Sequence, residues 1–314
     1  MKQFCFIFFL FCYAKAMNEN SFTLPSFAKI NWFLRVLGKR DDDFHDLCTV
    51  FQTVSLCDQL TFSDFDEIVL TCDDDNIPTG EENLIARAAQ LLKEKFDIKK
   101  GAKIHLAKNI PVEGGLGGGS SNAAIALLGL AKLWKIGIDF AELLELGQQL
   151  GSDVPFFFYG GTAFGTGRGT EIETLEDADE KFLFIVTPKV GISTREAFAR
   201  LETTRLTKEA SKSILQICRF EAKALDLRHN ELKNDFEASV FAAEPEIERA
   251  RKKLLELGAV KASMSGSGAS VFAIFDKQET RQTAEKAIGH ENWRKFAVAT
   301  ISRNKYREAL KKVF

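Results

Sequence analysis

Pro111-Val112-Glu113-Gly114-Gly115-Leu116-Gly117-Gly118-Gly119-Ser120-Ser121 decides how this chain is read. Five of the six residues from Gly114 to Gly119 are glycine, and Asn122 and the apolar run Ala123-Ala124-Ile125-Ala126-Leu127-Leu128 follow at once. Upstream, Ala102, Ile104 and Leu106 alternate with Lys103 and His105, the period of a half-buried strand. The order is therefore strand, glycine loop, helix start. Without Cβ atoms the loop can turn through positive φ and approach a ligand closely. At the helix start, unpaired N–H groups and the positive end of the helix dipole favour an anion, most often a phosphate.

The loop is not a Walker A sequence, which needs Lys and then Ser or Thr directly after its last glycine; here Ser120 and Ser121 follow Gly119. Nor does Gly115-Leu116-Gly117-Gly118-Gly119 keep the Rossmann spacing. A flexible linker of the same composition would seldom be bracketed by a strand and an apolar helix.

The 314 residues are enough for one large or two ordinary domains. With 42 basic against 44 acidic residues, no bulk positive field draws the chain to nucleic acid, and anion binding must come from local sites. Cys48, Cys57, Cys72 and Cys218 show no CxxC pair, no metal-ligand spacing and no disulfide framework, so reduced cysteines and a cytoplasmic location are expected. The N-terminus argues the other way. Met1-Lys2, an apolar run from Phe4 to Tyr13 and Ala14-Lys15-Ala16 have the outline of a secretory signal, too short to span a bilayer as a mature helix. Met17 follows immediately, so a start assigned too far upstream is the other reading, and residues 1–16 are set aside from fold reasoning.

Phe27 to Val36 reads as an early strand that carries Lys29 and Asn31 on one face. Asp41-Asp42-Asp43-Phe44-His45-Asp46 is an acidic turn holding an aromatic and a histidine. Val50 to Leu56 and Gln59 to Phe62 are expected as further strands, and Leu84 to Phe96 as an amphipathic helix. The helix after the glycine loop is expected to run to about Lys135, and another from Ala141 to Leu150, closed by Gly151. Asp153 then stands beside Phe156-Phe157-Phe158-Tyr159, which reads as a buried aromatic strand; a carboxylate in such apolar company calls for a partner. Further on come a strand at Phe182–Val186, a helix from Pro245 and strands at Val260–Met264 and Ala269–Phe275. Ser265-Gly266-Ser267-Gly268 joins the last two as a bare turn or a second ligand-facing loop.

Ala28-Lys29-Ile30-Asn31, the glycine loop with Asn122-Ala123-Ala124, and Ser265-Gly266-Ser267-Gly268-Ala269 together resemble the three motifs of the GHMP kinases, in order and over essentially everything from Ser26 to Tyr306. The resemblance implies an α+β fold in two domains. An N-terminal ATP-binding α/β domain would span 17–165 and a C-terminal ferredoxin-like α+β domain 166–314. It implies transfer of the γ-phosphoryl of ATP, with Mg²⁺, to a small-molecule hydroxyl. Asp153 would be the base on that hydroxyl, with Lys29 beside it, where a cation favours a charged carboxylate and steadies the attacking oxygen. Pro111 through Ser121 would hold the ATP phosphates, and the metal's protein ligands are not fixed.

A narrower resemblance lies in Asp43-Phe44-His45-Asp46-Leu47 with Thr49-Val50-Phe51-Gln52, in Leu150 to Phe156, and in Asn234-Asp235-Phe236-Glu237. It points to CDP-methylerythritol as acceptor, phosphorylated on its 2-hydroxyl in isoprenoid precursor synthesis. Phe44, His45 and Phe198 would then enclose the cytosine, with Thr194 nearby and Asn31 anchoring the substrate. Phe44 stands where tyrosine is usual, and Glu113 where a small residue is common, so the Glu113 carboxylate is expected to face away from the phosphates. A mevalonate, homoserine or sugar kinase, a GHMP-fold regulator without turnover and a secreted binding protein stay open. Oligomeric state, monomer or homodimer, is not legible.

Overall fold

A computed structural model describes residues 21–42, 44–201, 208–224, 227, 231–311 and 313; residues 1–16, with their signal-like outline, and Asp43 lie outside them. The first sheet is built around a long hairpin. Strand β1 (Phe22–Lys39) runs antiparallel to β2 (His45–Phe65), from Phe22 opposite Phe62 to Lys39 opposite His45. The two strands expected at Val50 and Gln59 are thus one strand of 21 residues. Cys57 and Asp58 stay paired with Phe27 and Ser26 of β1, and the irregularity comes just beyond them, as a register shift between Phe27 and Lys29 that bends the strand without ending it.

The other edge of β2 is shared. Strands β3 (Ile68–Cys72) and β4 (Gly101–Ala107) pair in parallel, and β4 lines the C-terminal half of β2; β5 (Thr162–Thr166) takes its N-terminal half and hands on to β6 (Glu171–Thr174). Between β3 and β4 the chain makes α1 (Leu84–Phe96), and between β4 and β5 it makes α2 (Gly118–Trp134), α3 (Phe140–Leu150) and the single turn α4 (Phe156–Tyr159). Asn83 caps α1 by accepting from Ile85 N, and Asp139 and Glu142 form a reciprocal capping box on α3. Ile85, Ala88, Leu92, Ile125, Leu127 and Leu146 bury one face of these helices on Leu60, Phe62, Ile104 and Leu106 of the sheet.

Phe156–Tyr159 corrects the expected aromatic strand. Four apolar residues carry no usable period, and the backbone decides: Pro155 is already helical, and Gly160 ends the turn at φ +64.

The second sheet contains β7 (Leu183–Pro188), β8 (Lys261–Met264), β9 (Val271–Ile274) and β10 (Trp293–Val298). Its spatial order is β10-β7-β9-β8, every pair antiparallel. Helices α5 (Thr194–Ala199), α6 (Lys208–Lys223), α7 (Glu237–Ala243) and α8 (Pro245–Glu256) fill the first crossover, and α9 (Gln278–Ala287) the second. This is the expected ferredoxin-like β-α-β-β-α-β arrangement. The two sheets face each other through a shared core in which Trp32 meets Phe272 edge-on at 5.4 Å.

Cys48 of β2 and Cys218 of α6 are joined as a disulfide. The expectation of reduced cysteines is corrected for this pair, whose separation of 170 residues gives no spacing signal; Cys57 and Cys72 are free. Among the described residues no helix is long and apolar enough to cross a membrane.

The chain ends by returning to the first sheet. Helix α10 (Arg303–Ala309) places the fully buried Tyr306 against Gly160, and its hydroxyl donates to the Phe157 carbonyl at 2.6 Å. Tyr306→Phe leaves that carbonyl buried without a donor, a cost of about 1–2 kcal/mol. A lowered urea midpoint with an unchanged slope is expected; an unchanged midpoint would count against this role for the hydroxyl.

Candidate active site

A cavity of about 1210 Å³ opens over β1 and β2 of the first sheet, bordered by the glycine loop, α5 and the loop at Gly266-Ser267. Its floor is β1. Lys29 and Asn31 point into it from alternate positions, as the period of two requires. Lys29 Nζ donates to Asn31 Oδ1 at 2.7 Å, Asn31 Nδ2 to Thr49 Oγ1 at 2.7 Å, and Thr49 Oγ1 to the Phe33 carbonyl at 2.7 Å. One of the three ammonium donors is used by Asn31, and the others are left to the cavity. There it meets Asp153, Nζ to Oδ2 3.4 Å, with the lysine side chain 4% and the aspartate 33% exposed. The predicted pair is therefore assembled, with its carboxylate toward the open cavity.

The glycine loop lies directly over Lys29, whose backbone N–H donates to the Leu116 carbonyl at 2.9 Å. Gly117, at φ +67, caps α2 without a side chain, and a Cβ there would meet Lys29 Cγ at 2.9 Å and Phe157 at 3.0 Å. The loop's other side is fastened to Ser265-Gly266-Ser267-Gly268. Ser265 Oγ donates to the Gly115 carbonyl at 3.0 Å, Ala269 N to Glu113 O at 3.2 Å and Ser270 N to Gly114 O at 3.1 Å. Gly266 and Ser267 also line the cavity, so the second glycine loop is more than a hairpin turn.

Of the stretch 111–121, residues Pro111 to Ser120 line the cavity, while Ser121 is fully buried, its hydroxyl 2.8 Å from Ser26 Oγ. Ser26 donates to Asn122 Oδ1 at 2.7 Å, locking the first turn of α2 to β1. Glu113, at φ +52, sends its carboxylate toward Gly191, where a Cβ would come within 3.2 Å of Oε2.

At the far end of the cavity stand Phe44, His45, Thr194 and Phe198. Thr194 and Phe198 share one face of α5, whose N-terminus is set by the Ser193–Glu196 capping box. Phe198 stacks on His45 at 4.8 Å and meets Phe236 edge-on at 4.8 Å. Phe44 does not face Phe198 here; the guanidinium of Arg168 lies over its ring at 3.4 Å. Burial, with Lys39 nearby, pushes the His45 imidazole below its ordinary range, so it is neutral at pH 7.

Three supports had no role legible in the sequence, although Thr49 and Asn234 stand in motifs quoted above. Asp58, fully buried, accepts from Lys108 Nζ at 2.9 Å and from the backbone N–H groups of Asn109 and Ile110 at 2.7 Å each, fixing the chain as it enters the glycine loop. Burial pushes the Lys108 ammonium below its usual range, against the pull of Asp58. Asn234 donates to the carbonyls of Met264 and Gly266 at 2.8 Å and holds the second glycine loop; only its motif was legible. Thr49 orients Asn31 from a position that reads as ordinary strand.

Known proteins bear on this geometry. The description "GHMP kinases N terminal domain" matches residues 83–161, and "GHMP kinases C terminal" matches 219–295. The chain is 39% identical over 288 residues to a 4-diphosphocytidyl-2-C-methyl-D-erythritol kinase of Syntrophotalea carbinolica, covering 90% of this chain and 99% of that protein. It is 38% identical over 261 residues to a protein of the same name from Bacillus thuringiensis, covering 82% and 88%. Among solved structures, a 4-(cytidine 5'-diphospho)-2C-methyl-D-erythritol kinase superposes with a TM-score of 0.71 at 29% identity, over 89% of this chain and 99% of that one. The homoserine kinase of Cytophaga hutchinsonii shares the fold, with a TM-score of 0.69 at 20% identity over 93% of this chain and 98% of that one. The chain belongs to the GHMP kinase family.

Proposed function

We propose that the chain transfers the γ-phosphoryl of ATP to the 2-hydroxyl of 4-diphosphocytidyl-2-C-methyl-D-erythritol, a step of isoprenoid precursor synthesis. The observation that carries this reading is one continuous cavity lined by a glycine loop, a lysine–aspartate pair and an aromatic-histidine stack. Relatives of that name match nearly the whole chain.

Residues 111–120 would cradle the ATP phosphates on backbone N–H groups and the N-terminus of α2. Asp153 would take the proton of the attacking hydroxyl, and the Lys29 ammonium, 3.4 Å away, would stabilise the charge that develops on the oxygen. Asn31, held by Thr49, would orient the polyol. Phe44, His45, Thr194 and Phe198 would form the cytosine end, since one base is recognised by stacking plus a few edge hydrogen bonds. A neutral imidazole offers one donor and one acceptor for such an edge. We further propose a division into an ATP unit, 17–165, and a substrate unit, 166–314, with β6 and α10 returning to the first sheet, and a cytoplasmic location, where ATP is supplied.

Mg²⁺ fits as an ion carried on the nucleotide. Among the described residues no cluster of three or more His, Cys, Asp or Glu forms a cage, and the Ser120 hydroxyl offers an oxygen on the cavity wall. Such a set suits an ion that keeps waters and phosphate oxygens as ligands. When bound, it neutralises charge on the transferring phosphoryl group.

ADP release with Mg·ATP, compared across CDP-methylerythritol, mevalonate, homoserine and galactose, tests the proposal. Turnover with CDP-methylerythritol alone is expected. Turnover with another acceptor would overturn the substrate, and nucleotide binding without turnover on any acceptor would overturn the activity.

A further inference from the structure

We infer that Arg168 is the residue that binds the diphosphate of a nucleoside-diphosphate-linked acceptor. This rests on the function proposed above and deepens it, because neither the glycine loop nor the lysine–aspartate pair accounts for the charge in the middle of such an acceptor.

The position is the first argument. The acceptor is linear: the reacting hydroxyl at one end, the base at the other, two phosphates between. The loop Gly165-Thr166-Gly167-Arg168-Gly169 joins the matching ends of the site. On one side the Gly167 carbonyl accepts from Leu47 N at 2.8 Å, two residues after His45. On the other, Gly169 packs so that a Cβ would lie 3.9 Å from the carbonyl of Ser152, the neighbour of Asp153. Gly167 and Gly169 have φ of +63 and +92, so the loop turns sharply on both sides of the arginine and presents it to the cavity.

Charge is the second. Five basic side chains line the cavity, Lys29, Lys39, Lys108, Arg168 and Arg195; of these Lys29 is paired with Asp153 and Lys108 with Asp58, and only Arg168 stands in the loop between the two ends of the site. Among the described residues no carboxylate pairs with Arg168, and its Nε is buried without a hydrogen-bond partner. Asp42, in the turn beside Phe44, is bonded to Arg40 at 3.1 Å, and Arg168 reaches it only as a more distant charge that helps hold its carboxyl below the usual range, without a hydrogen bond. Stacking on Phe44 at 3.4 Å satisfies the face of the guanidinium but none of its N–H groups, which radiate in the plane of the fork. A planar, permanently charged fork with free donors matches phosphate oxygens. The ring of Phe44, lacking the usual tyrosine hydroxyl, serves as the shelf that holds it.

Calorimetry on the full chain with CDP and with cytidine tests this. The unmodified protein is expected to bind CDP about tenfold or more tighter than cytidine, by an advantage that shrinks with added salt. Arg168→Ala should abolish the advantage while cytidine affinity and ATP affinity hold. Arg168→Lys should retain part of it, and gives the same reading if the alanine variant does not fold. An undiminished CDP advantage in both variants overturns the inference. So does an equal loss for CDP and cytidine, which would make Arg168 a packing partner of Phe44 only. If the unmodified protein binds neither CDP nor cytidine, the acceptor reading itself falls, an outcome distinct from a variant that leaves CDP binding untouched.

Discussion

Asp153→Asn is expected to lower kcat about a thousandfold, the range of a lost general base, with KM for ATP close to its parent value. The substitution is isosteric, and its site is one-third open to the cavity, so little packing is lost. What goes is the charge that faces the Lys29 ammonium at 3.4 Å and that, on the proposed function, would accept the proton. On the proposed function ATP would be held by backbone N–H groups of the glycine loop, and ATP binding should survive because that loop is fixed by contacts with β1 and with the 265–270 segment rather than by Asp153. Lys29→Met removes the other half of the pair, and with it the bond to Asn31 Oδ1 that begins the chain through Thr49. It should lower kcat comparably. The double variant should lose little more than either single one, as expected for groups that act as a unit. Steady-state kinetics with both substrates varied, and nucleotide binding by calorimetry, check this. A kcat for Asp153→Asn within about tenfold of the parent would remove Asp153 from the chemistry.

Local pattern and long-range packing divide what was legible in the sequence. The strand, glycine loop and helix at 101–134 were readable because each element's signal is local: alternation, missing side chains, then an apolar run. Helix α1 falls on its expected residues because Asn83 and the stripe above it are local signals too. Lys29 and Asp153 could be named, but their meeting depends on β1 passing beneath the loop that begins α2. Where the reading fell short, the deciding contact lies far away in sequence. Ser121 follows Ser120 in the motif, yet its helical position turns it to Ser26, 95 residues earlier. Asp58 looks like a strand-breaking polar residue and is a buried acceptor for residues 108–110. Phe44, His45 and Phe198 could be named for one end of the cavity, but that Phe198 stacks on His45 and that Arg168 lies over Phe44 were not legible. Residue types announce which chemistry is available; which side chains share a face is settled by register.

Gly115→Ala should be severely damaging, since no other glycine among the described residues would bring a Cβ closer to a neighbouring atom. At φ +69 the backbone already disfavours any side chain. The larger penalty is steric: the Cβ would sit 2.0 Å from the Ser265 carbonyl oxygen and 2.8 Å from that of Gly268. Both obstacles are backbone, so no rotamer change relieves them, and the two glycine loops must separate. Separation strains or breaks the bonds from Ser265 Oγ to Gly115 O, Ala269 N to Glu113 O and Ser270 N to Gly114 O, the contacts that hold the first glycine loop against residues 265–270. A loss of about 3 kcal/mol in stability is expected, the upper end for an ordinary point substitution, together with a fall in kcat/KM for ATP of about a hundredfold as the donors move off their positions. Gly119→Ala separates this account from a general need for glycine. Gly119 sits in the first turn of α2 without positive φ, and the nearest atom to its Cβ would be Leu84 Cδ1 at 3.7 Å, an ordinary contact. That variant should fold as stably as the parent or slightly more so, because alanine loses less entropy in a helix. Denaturation curves of the two proteins side by side decide the matter: equal losses would mean that the loop tolerates no side chain anywhere, and that the Gly115 contact with residues 265–268 is not what holds it.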